Sequence, residues 1–367
     1  MADRYEPRVN TSLINSTVNL GAYERMLQAI RSDNTVALAG AGVSVPLGYP
    51  NWNGLLNRLA DETEKLCGDT VTDTFQMPLK IEKVRAMRDA LVRAEIFKLN
   101  LGSKYGDLLR DIFGPRHGVA KDIANISRIP FQHILTTNYD VSIELAHDEL
   151  KIDYESFSLI DDLAEVFVGN IGDYKTRRCI VHVHGRYDRP ESIVLTHGEY
   201  GRIYDSSPVC RSLWGTLPIS RKCVFLGFSF LDGEIMDKLR RVFFLAKRSV
   251  SGLRHFAVLP LQDRGEEETS RSSYRLQYGV EPIFFDPADA NFSGYSAVVA
   301  DILSHTESCV VASVPVATST VESQVEEKPT KSEIASGERQ ASLRKDVERL
   351  KGLTRMNVQK TKTGALQ

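Results

Sequence analysis

Short apolar runs, separated by longer segments of helical periodicity, constrain the fold of this chain more than any other feature. They are rich in β-branched residues and read TVALAG (35–40), FQHILTTN (131–138), CIVHVHG (179–185), KCVFLGFS (222–229), HFAVLPL (255–261) and VEPIFFD (280–286). Such short apolar runs are typical of strands covered on both faces, and the helical spacers suit right-handed crossovers. The pattern predicts an α/β fold with a doubly wound, Rossmann-like and mostly parallel sheet.

The segment between the first two runs is far longer than one crossover helix requires. Its stretches LLNRLADETEKL, IEKVRAMRDALVRAEIFKLN and YGDLLRDIF carry apolar residues at helical spacing. We expect a helical insertion subdomain over about 55–128, folded over the mouth of a binding site. The alternative is an insertion that only thickens the core.

The composition changes near the C-terminus. Residues 309–330 contain no aromatic residue and many Ser, Thr and Glu, which predicts a flexible linker after a domain spanning 1–308. Residues 331–367 form an amphipathic, basic tail whose apolar stripe is too narrow to be stable alone. This tail is either a helix that contacts a partner or a mostly disordered segment.

Charge and cysteine usage exclude several classes of protein. The net charge is −2, so we expect no direct contact with nucleic acid. Five scattered cysteines without a CxxC pair indicate a reducing compartment and no metal site. Because no apolar run is long enough to span a bilayer, we expect no membrane contact and a cytoplasmic location.

A glycine-rich turn follows the first run, in the stretch AGAGVSVPLGYPNW. Its residues Gly40, Ala41, Gly42 and Ser44 stand where α/β proteins bring backbone N–H groups close to a phosphate. Val45 occupies the place of the third glycine of the dinucleotide fingerprint. The turn therefore indicates a nucleotide site, with a plain strand-to-helix turn as the alternative.

Polar side chains also follow the next two runs. The amide of Asn138 can hold a water or a sugar hydroxyl, and Asp140 can either cap the following helix or accept from a ligand. His184, at the end of its run, is a candidate general base. His182 lies deeper in the same strand, and we expect it to be a buried, hydrogen-bonded core residue.

The fourth run ends in FLGFSFLDGEI. Gly227 and Ser229 could admit an adenosine moiety, or Ser229 could cap the next helix and Asp232 could be a charge in its first turn. All these groups follow strands of one predicted sheet, at the edge where open α/β folds bind ligands. The sequence therefore predicts a single nucleotide site.

The ordered set GAGVSVPLGYPNW, TTNYD, HG and GFS, over roughly 20–305, resembles the SIR2-like (sirtuin-related) family, specifically NAD-hydrolysing effectors of bacterial anti-phage defence. The resemblance implies NAD as the substrate. It implies cofactor-binding roles for Gly40, Ala41, Gly42, Ser44, Gly227 and Ser229. It implies catalytic roles for Asn138 at the nicotinamide ribose and the attacking water, Asp140 near the carboxamide, and His184 as the base.

Two departures from deacylating sirtuins decide between activities. Asn51, Trp52 and Asn53 stand where those enzymes carry Phe-Arg, and no paired CxxC motifs are present to hold zinc. The resemblance then implies an NAD+ glycohydrolase that releases ADP-ribose and nicotinamide and needs no metal. The alternatives are an NAD-dependent protein deacylase and a non-catalytic module that binds NAD or ADP-ribose.

The same resemblance implies control by partners, because an NAD-depleting activity must be held off in healthy cells. We expect a homo-oligomer and a separate activating or sensor protein, such as a HerA-like ATPase or helicase or an Argonaute-like protein. The C-terminal tail is one candidate contact.

Overall fold

The computed structural model describes residues 12–32, 35–116, 118–171, 177–230, 232–246, 255–289 and 292–307. Its strands are β1 (Thr35–Ala39), β2 (Thr70–Thr72), β3 (Pro78–Lys80), β4 (His133–Thr136), β5 (Glu155–Ser158), β6 (Cys179–His182), β7 (Lys222–Leu226), β8 (His255–Pro260) and β9 (Val280–Phe285). Its helices are α1 (Thr17–Arg31), α2 (Trp52–Cys67), α3 (Ile81–Arg85), α4 (Ala90–Leu101), α5 (Lys104–Phe113), α6 (Lys121–Arg128), α7 (Ser142–Leu150), α8 (Asp162–Asn170), α9 (His197–Tyr200), α10 (Pro208–Ser220), α11 (Gly233–Ala246), α12 (Glu267–Tyr278) and α13 (Ser293–Thr306).

The predicted sheet is confirmed. Seven strands pair in the order β5-β6-β4-β1-β7-β8-β9, and all of their pairings are parallel. Every predicted run contributes one strand, and β5 is the additional one. After β1, the chain places β4, β5 and β6 on one side of β1. It then crosses to the other side of β1, where it adds β7, β8 and β9. The switch of direction, where open α/β sheets bind ligands, therefore lies between β1 and β7.

Side chains of the central strand alternate between two apolar layers. Val36 and Leu38 of β1 pack into a core with residues of α8, α10 and α11. Ala37 and Ala39 face the opposite layer, which α1, α6, α7 and α13 cover. Both faces of β1 are therefore buried, as its continuous apolar run predicted.

The insertion after β1 has its own apolar core, formed by residues of α2, α3, α4 and α5. It is not purely helical, because β2 and β3 form an antiparallel hairpin. The carboxylate of Asp73 accepts from the backbone N–H groups of Phe75 and Met77, both at 2.9 Å, and so fixes the hairpin turn. Helix α6, which the sequence prediction placed in the insertion, packs against α7 and α13 beside the sheet.

The linker (309–330) and tail (331–367) lie outside the described residues, and their assignments remain predictions. Within the described ranges, we find no helix of the length and apolarity needed to cross a membrane.

Candidate functional site at the carboxyl edge of the sheet

A cavity of about 460 Å³ opens at the carboxyl ends of β1, β4, β6 and β7. Its lining brings together most of the residues predicted from the sequence: Gly40, Ala41, Ser44, Asn138, Asp140, His184 and Ser229. The remaining two, Gly42 and Gly227, do not line it. One cavity therefore unites strand ends that are up to about 190 residues apart in the chain, as a parallel sheet should.

Gly42 and Gly227 form a close backbone contact next to residues that line the cavity. The N–H of Gly42 donates to the carbonyl of Gly227 at 2.9 Å. A Cβ on Gly42 would lie 2.8 Å from that oxygen, and a Cβ on Gly227 would lie 2.6 Å from the backbone nitrogen of Val43. Gly227 also has a positive φ of 57°. These glycines let the turn after β1 and the end of β7 approach closely, beside Gly40, Ala41 and Ser44 of the cavity lining.

Asn138 is buried and held by the glycine turn. Its Nδ2 donates to the carbonyl of Gly40 at 3.1 Å and to Oγ of Ser44 at 2.9 Å. These two bonds use both amide protons, so Oδ1 is left to accept from a ligand or a water. The turn after β1 therefore orients the side chain that follows β4.

Asp140 is buried at the start of α7. Its Oδ1 accepts from the backbone N–H of Ser142 at 3.0 Å and also from the hydroxyl of Ser142. Burial raises the pKa of Asp140, although the hydrogen bonds from Ser142 oppose the shift. Asp140 therefore stabilises the helix start and also lines the cavity, so its two sequence-based interpretations are compatible.

His182, at the end of β6, is fully buried and does not line the cavity. Its Nδ1 lies 2.9 Å from the backbone oxygen of Asn138, and its Nε2 lies 2.7 Å from Oε1 of Glu144. Burial opposes charge on both groups, but their mutual attraction lowers the pKa of Glu144 to about 2 and raises that of His182. The ion pair therefore holds the loop that carries Asn138.

Glu144→Gln is expected to lower the free energy of unfolding by about 1 to 3 kcal/mol, because it weakens a buried, charge-assisted contact. The contribution of Glu144 is complete above its ordinary pKa of 4.5 and is lost as the pH falls towards 2. The contribution of His182 is complete below its ordinary pKa of 6.5 and is lost as the pH rises through its raised value. Urea unfolding across this range measures the difference between the variant and the wild type.

The difference in stability should therefore be largest between about pH 4.5 and 6.5. Glu155→Gln is the matched control, because its contact with Arg177 is a partly exposed ion pair at 3.5 Å. A difference for Glu144→Gln that does not vary with pH would contradict the assignment of an ion pair.

His184 faces two residues that the sequence did not assign to the site. Its Nε2 lies 3.0 Å from Oδ2 of Asp232 and 3.5 Å from the hydroxyl of Tyr200. Burial alone would raise the pKa of Asp232, but the charge of His184 and the hydrogen bonds to the carboxylate lower it. From the sequence, Asp232 was expected only as a charge in the first turn of the helix after β7, with Ser229 as the candidate cap.

An aromatic wall, formed by Tyr49, Trp52, Phe113 and Tyr139, lines the side of the cavity nearest the insertion. The rings of Phe113 and Tyr139 are 5.1 Å apart and edge-to-face. Burial raises the pKa of Tyr49 to about 12, so this side chain is neutral at physiological pH. Flat faces of this kind suit an aromatic base or a pyridine ring. None of these four aromatic residues was predicted from the sequence to line the site.

Taken over the described residues, no group of three or more His, Cys, Asp or Glu side chains is arranged to hold a metal ion.

Part of the chain is similar in sequence to known proteins. Residues 132–283, which include Asn138, Asp140, His184 and Ser229, match the model of the SIR2-like domain. The chain is 28% identical over 227 residues to "NAD(+) hydrolase ThsA" of Cytobacillus dafuensis, covering 60% of this chain and 40% of that protein. It is 25% identical over 253 residues to the protein of the same name from Bacillus cereus (strain MSX-D12), covering 68% of this chain and 48% of the relative.

The matched part spans less than half the length of these relatives. The family model covers β4, β5, β6, β7 and β8, and thus three of the four strand ends that surround the cavity. Over residues 132–283 the chain is therefore similar to the SIR2-like domain, as the order of its motifs predicted.

Proposed function

We propose that the chain hydrolyses NAD+ to ADP-ribose and nicotinamide. The observation that carries the proposal is the cavity in which Asn138, Asp140 and His184 meet the glycine turn at the switch point of the sheet. Its volume of about 460 Å³ is within the range of small-molecule and cofactor sites. The curated relatives named NAD(+) hydrolases support the same reaction.

The chemistry requires few groups from the protein. Cleavage of the bond between nicotinamide and ribose develops positive charge on the anomeric carbon, as in glycoside hydrolysis. Nicotinamide departs as a neutral molecule with the electron pair of that bond, so no acid has to protonate it. Water adds its oxygen to the anomeric carbon and gives up a proton. In this proposal Asn138 orients the ribose or the water, and His184 accepts the proton.

We further propose that the reaction serves as an anti-phage effector activity in the cytoplasm, under the control of partners. The resemblance to defence effectors supports this role, and a homo-oligomer and a separate HerA-like or Argonaute-like sensor follow from the same argument. Deletion after residue 310 tests whether the tail is the contact. Unchanged assembly and activity would contradict that part of the proposal.

NAD+ consumption with identification of the products tests the reaction, using purified protein with and without lysate from phage-infected bacteria. We expect ADP-ribose and nicotinamide in the absence of any acylated peptide. Asn138→Ala should reduce turnover by about 10²- to 10³-fold, the cost of losing one oriented polar group at a reacting centre.

The alternatives give different outcomes in the same assay. Nicotinamide release that strictly requires an acyl-lysine peptide would indicate a deacylase. Tight binding of NAD+ without consumption under any condition would indicate a non-catalytic module.

A further inference from the structure

His184 has two ring nitrogens, and the structure engages only one of them. Nε2 faces Oδ2 of Asp232 at 3.0 Å and the hydroxyl of Tyr200 at 3.5 Å. Among the described residues, Nδ1 of His184 has no hydrogen-bond partner. A neutral imidazole carries one proton, and the partner of one nitrogen decides which of the two is the base.

Asp232 is held in place independently of His184. Its Oδ1 accepts from the backbone N–H of Ile235 at 3.0 Å, and its own carbonyl accepts from the N–H of Met236 at 3.0 Å, so it caps α11. Its Oδ2 accepts from the hydroxyl of Tyr200 at 3.0 Å. The side chain is only 14% exposed. The carboxylate therefore presents one oxygen to the helix and the other to the imidazole.

An ionised carboxylate can only accept hydrogen bonds. Burial raises the pKa of Asp232, but the charge of a protonated His184 lowers it, and the hydrogen bonds that the carboxylate accepts, including those from Ile235 and Tyr200, favour the ionised form when the ring is neutral as well. The nitrogen that faces it must then carry the proton. In the neutral ring this leaves the lone pair on Nδ1.

We propose that Asp232 is a positioning residue that fixes the tautomer of His184, with the proton on Nε2 and Nδ1 as the base. The proposal rests on the proposed function, in which His184 receives a proton as water adds to the anomeric carbon and nicotinamide departs. Nδ1 takes that proton, and the negative charge of Asp232 stabilises the imidazolium that results. Asp232 itself neither gains nor loses a proton.

Two substitutions separate this role from helix capping. Asp232→Asn keeps an acceptor for the cap and nearly the same shape, but its amide NH2 faces Nε2 as a donor, so the proton of the neutral ring moves to Nδ1. Asp232→Ser also retains a good cap but is too short to reach His184, which leaves the tautomer free. A residue that only capped α11 would tolerate both changes.

The test combines kinetics with 15N NMR of histidine-labelled full-length protein, in which the His184 signals are those missing from His184→Gln. We expect the wild type to carry the proton on Nε2 and Asp232→Asn to carry it on Nδ1. Turnover number should fall by about 10²-fold in Asp232→Asn, and by about 10-fold in Asp232→Ser, because only the former enforces the wrong tautomer. The Michaelis constant should change much less.

Asp263→Asn is the matched control, because Asp263 caps a short turn away from the cavity through a 2.8 Å bond to the N–H of Gly265. It should leave turnover unchanged. A wild-type ring protonated on Nδ1, or full turnover in Asp232→Asn, would overturn the proposal. A wild type that never hydrolyses NAD+ contradicts the proposed function instead, and the tautomer measured in the same samples still decides the role of Asp232.

Discussion

Replacement of His184 by alanine is expected to lower NAD+ turnover by about 10²- to 10⁴-fold, the usual contribution of a general base. The imidazole is almost fully buried, lines the cavity and contacts the carboxylate of Asp232 at 3.0 Å. Alanine removes the proton acceptor and leaves that carboxylate with one donor fewer. The loss should appear in the turnover number, measured by nicotinamide release at saturating NAD+.

His197→Ala is the matched control for this variant. The His197 side chain is 58% exposed, and within the described part of the chain its one side-chain polar contact is with Asp89 at 3.4 Å, outside the cavity. It should retain wild-type turnover. Thermal unfolding of both variants shows whether the loss in His184→Ala exceeds any loss of folded protein. If folded His184→Ala kept more than about a tenth of the activity, His184 would not be the base.

The strands of the sheet could be predicted from the sequence because a strand buried on both faces has a nearly continuous run of apolar residues. Each of the six apolar runs became a strand, and the positions that follow four of them line one cavity. The strand β5 was missed, since Glu155–Ser158 is short, polar and only half-buried over its first two residues, as an edge strand can be. A pattern of apolar residues does not detect such a strand.

The site was predictable only where a side chain directly follows a strand. Asn138, Asp140 and His184 stand in such places. Asp232 does not, because its role depends on which of its oxygens caps α11 and which faces His184. Tyr139 also follows a strand. Tyr200 and the other three rings of the aromatic wall reach the cavity from segments that are positioned by tertiary packing, which no local pattern in the sequence specifies.

The position of His184 also depends on a tertiary contact of Gly185, the residue that follows it. Gly185 has a positive φ of 84°. A Cβ at this position would lie 2.2 Å from the backbone oxygen of Ser192 and 2.3 Å from its carbonyl carbon. The segment that contains Ser192 also contacts His184, because the N–H of Val194 donates to the carbonyl of His184 at 2.9 Å. The segment cannot move away from Gly185 without disturbing His184.

Gly185→Ala is therefore expected to destabilise the fold by roughly 2 to 5 kcal/mol, from the left-handed backbone and the backbone clash together. Chemical denaturation measures this loss, and the folded fraction should also have reduced NAD+ turnover because His184 is displaced. Gly215→Ala is the control, since Gly215 lies inside α10 and an added Cβ would have no neighbour within 4 Å. It should stabilise the helix by about 0.5 to 1 kcal/mol. Equal stability of the two variants would show that the turn after β6 is not the constraint that holds His184 at the cavity.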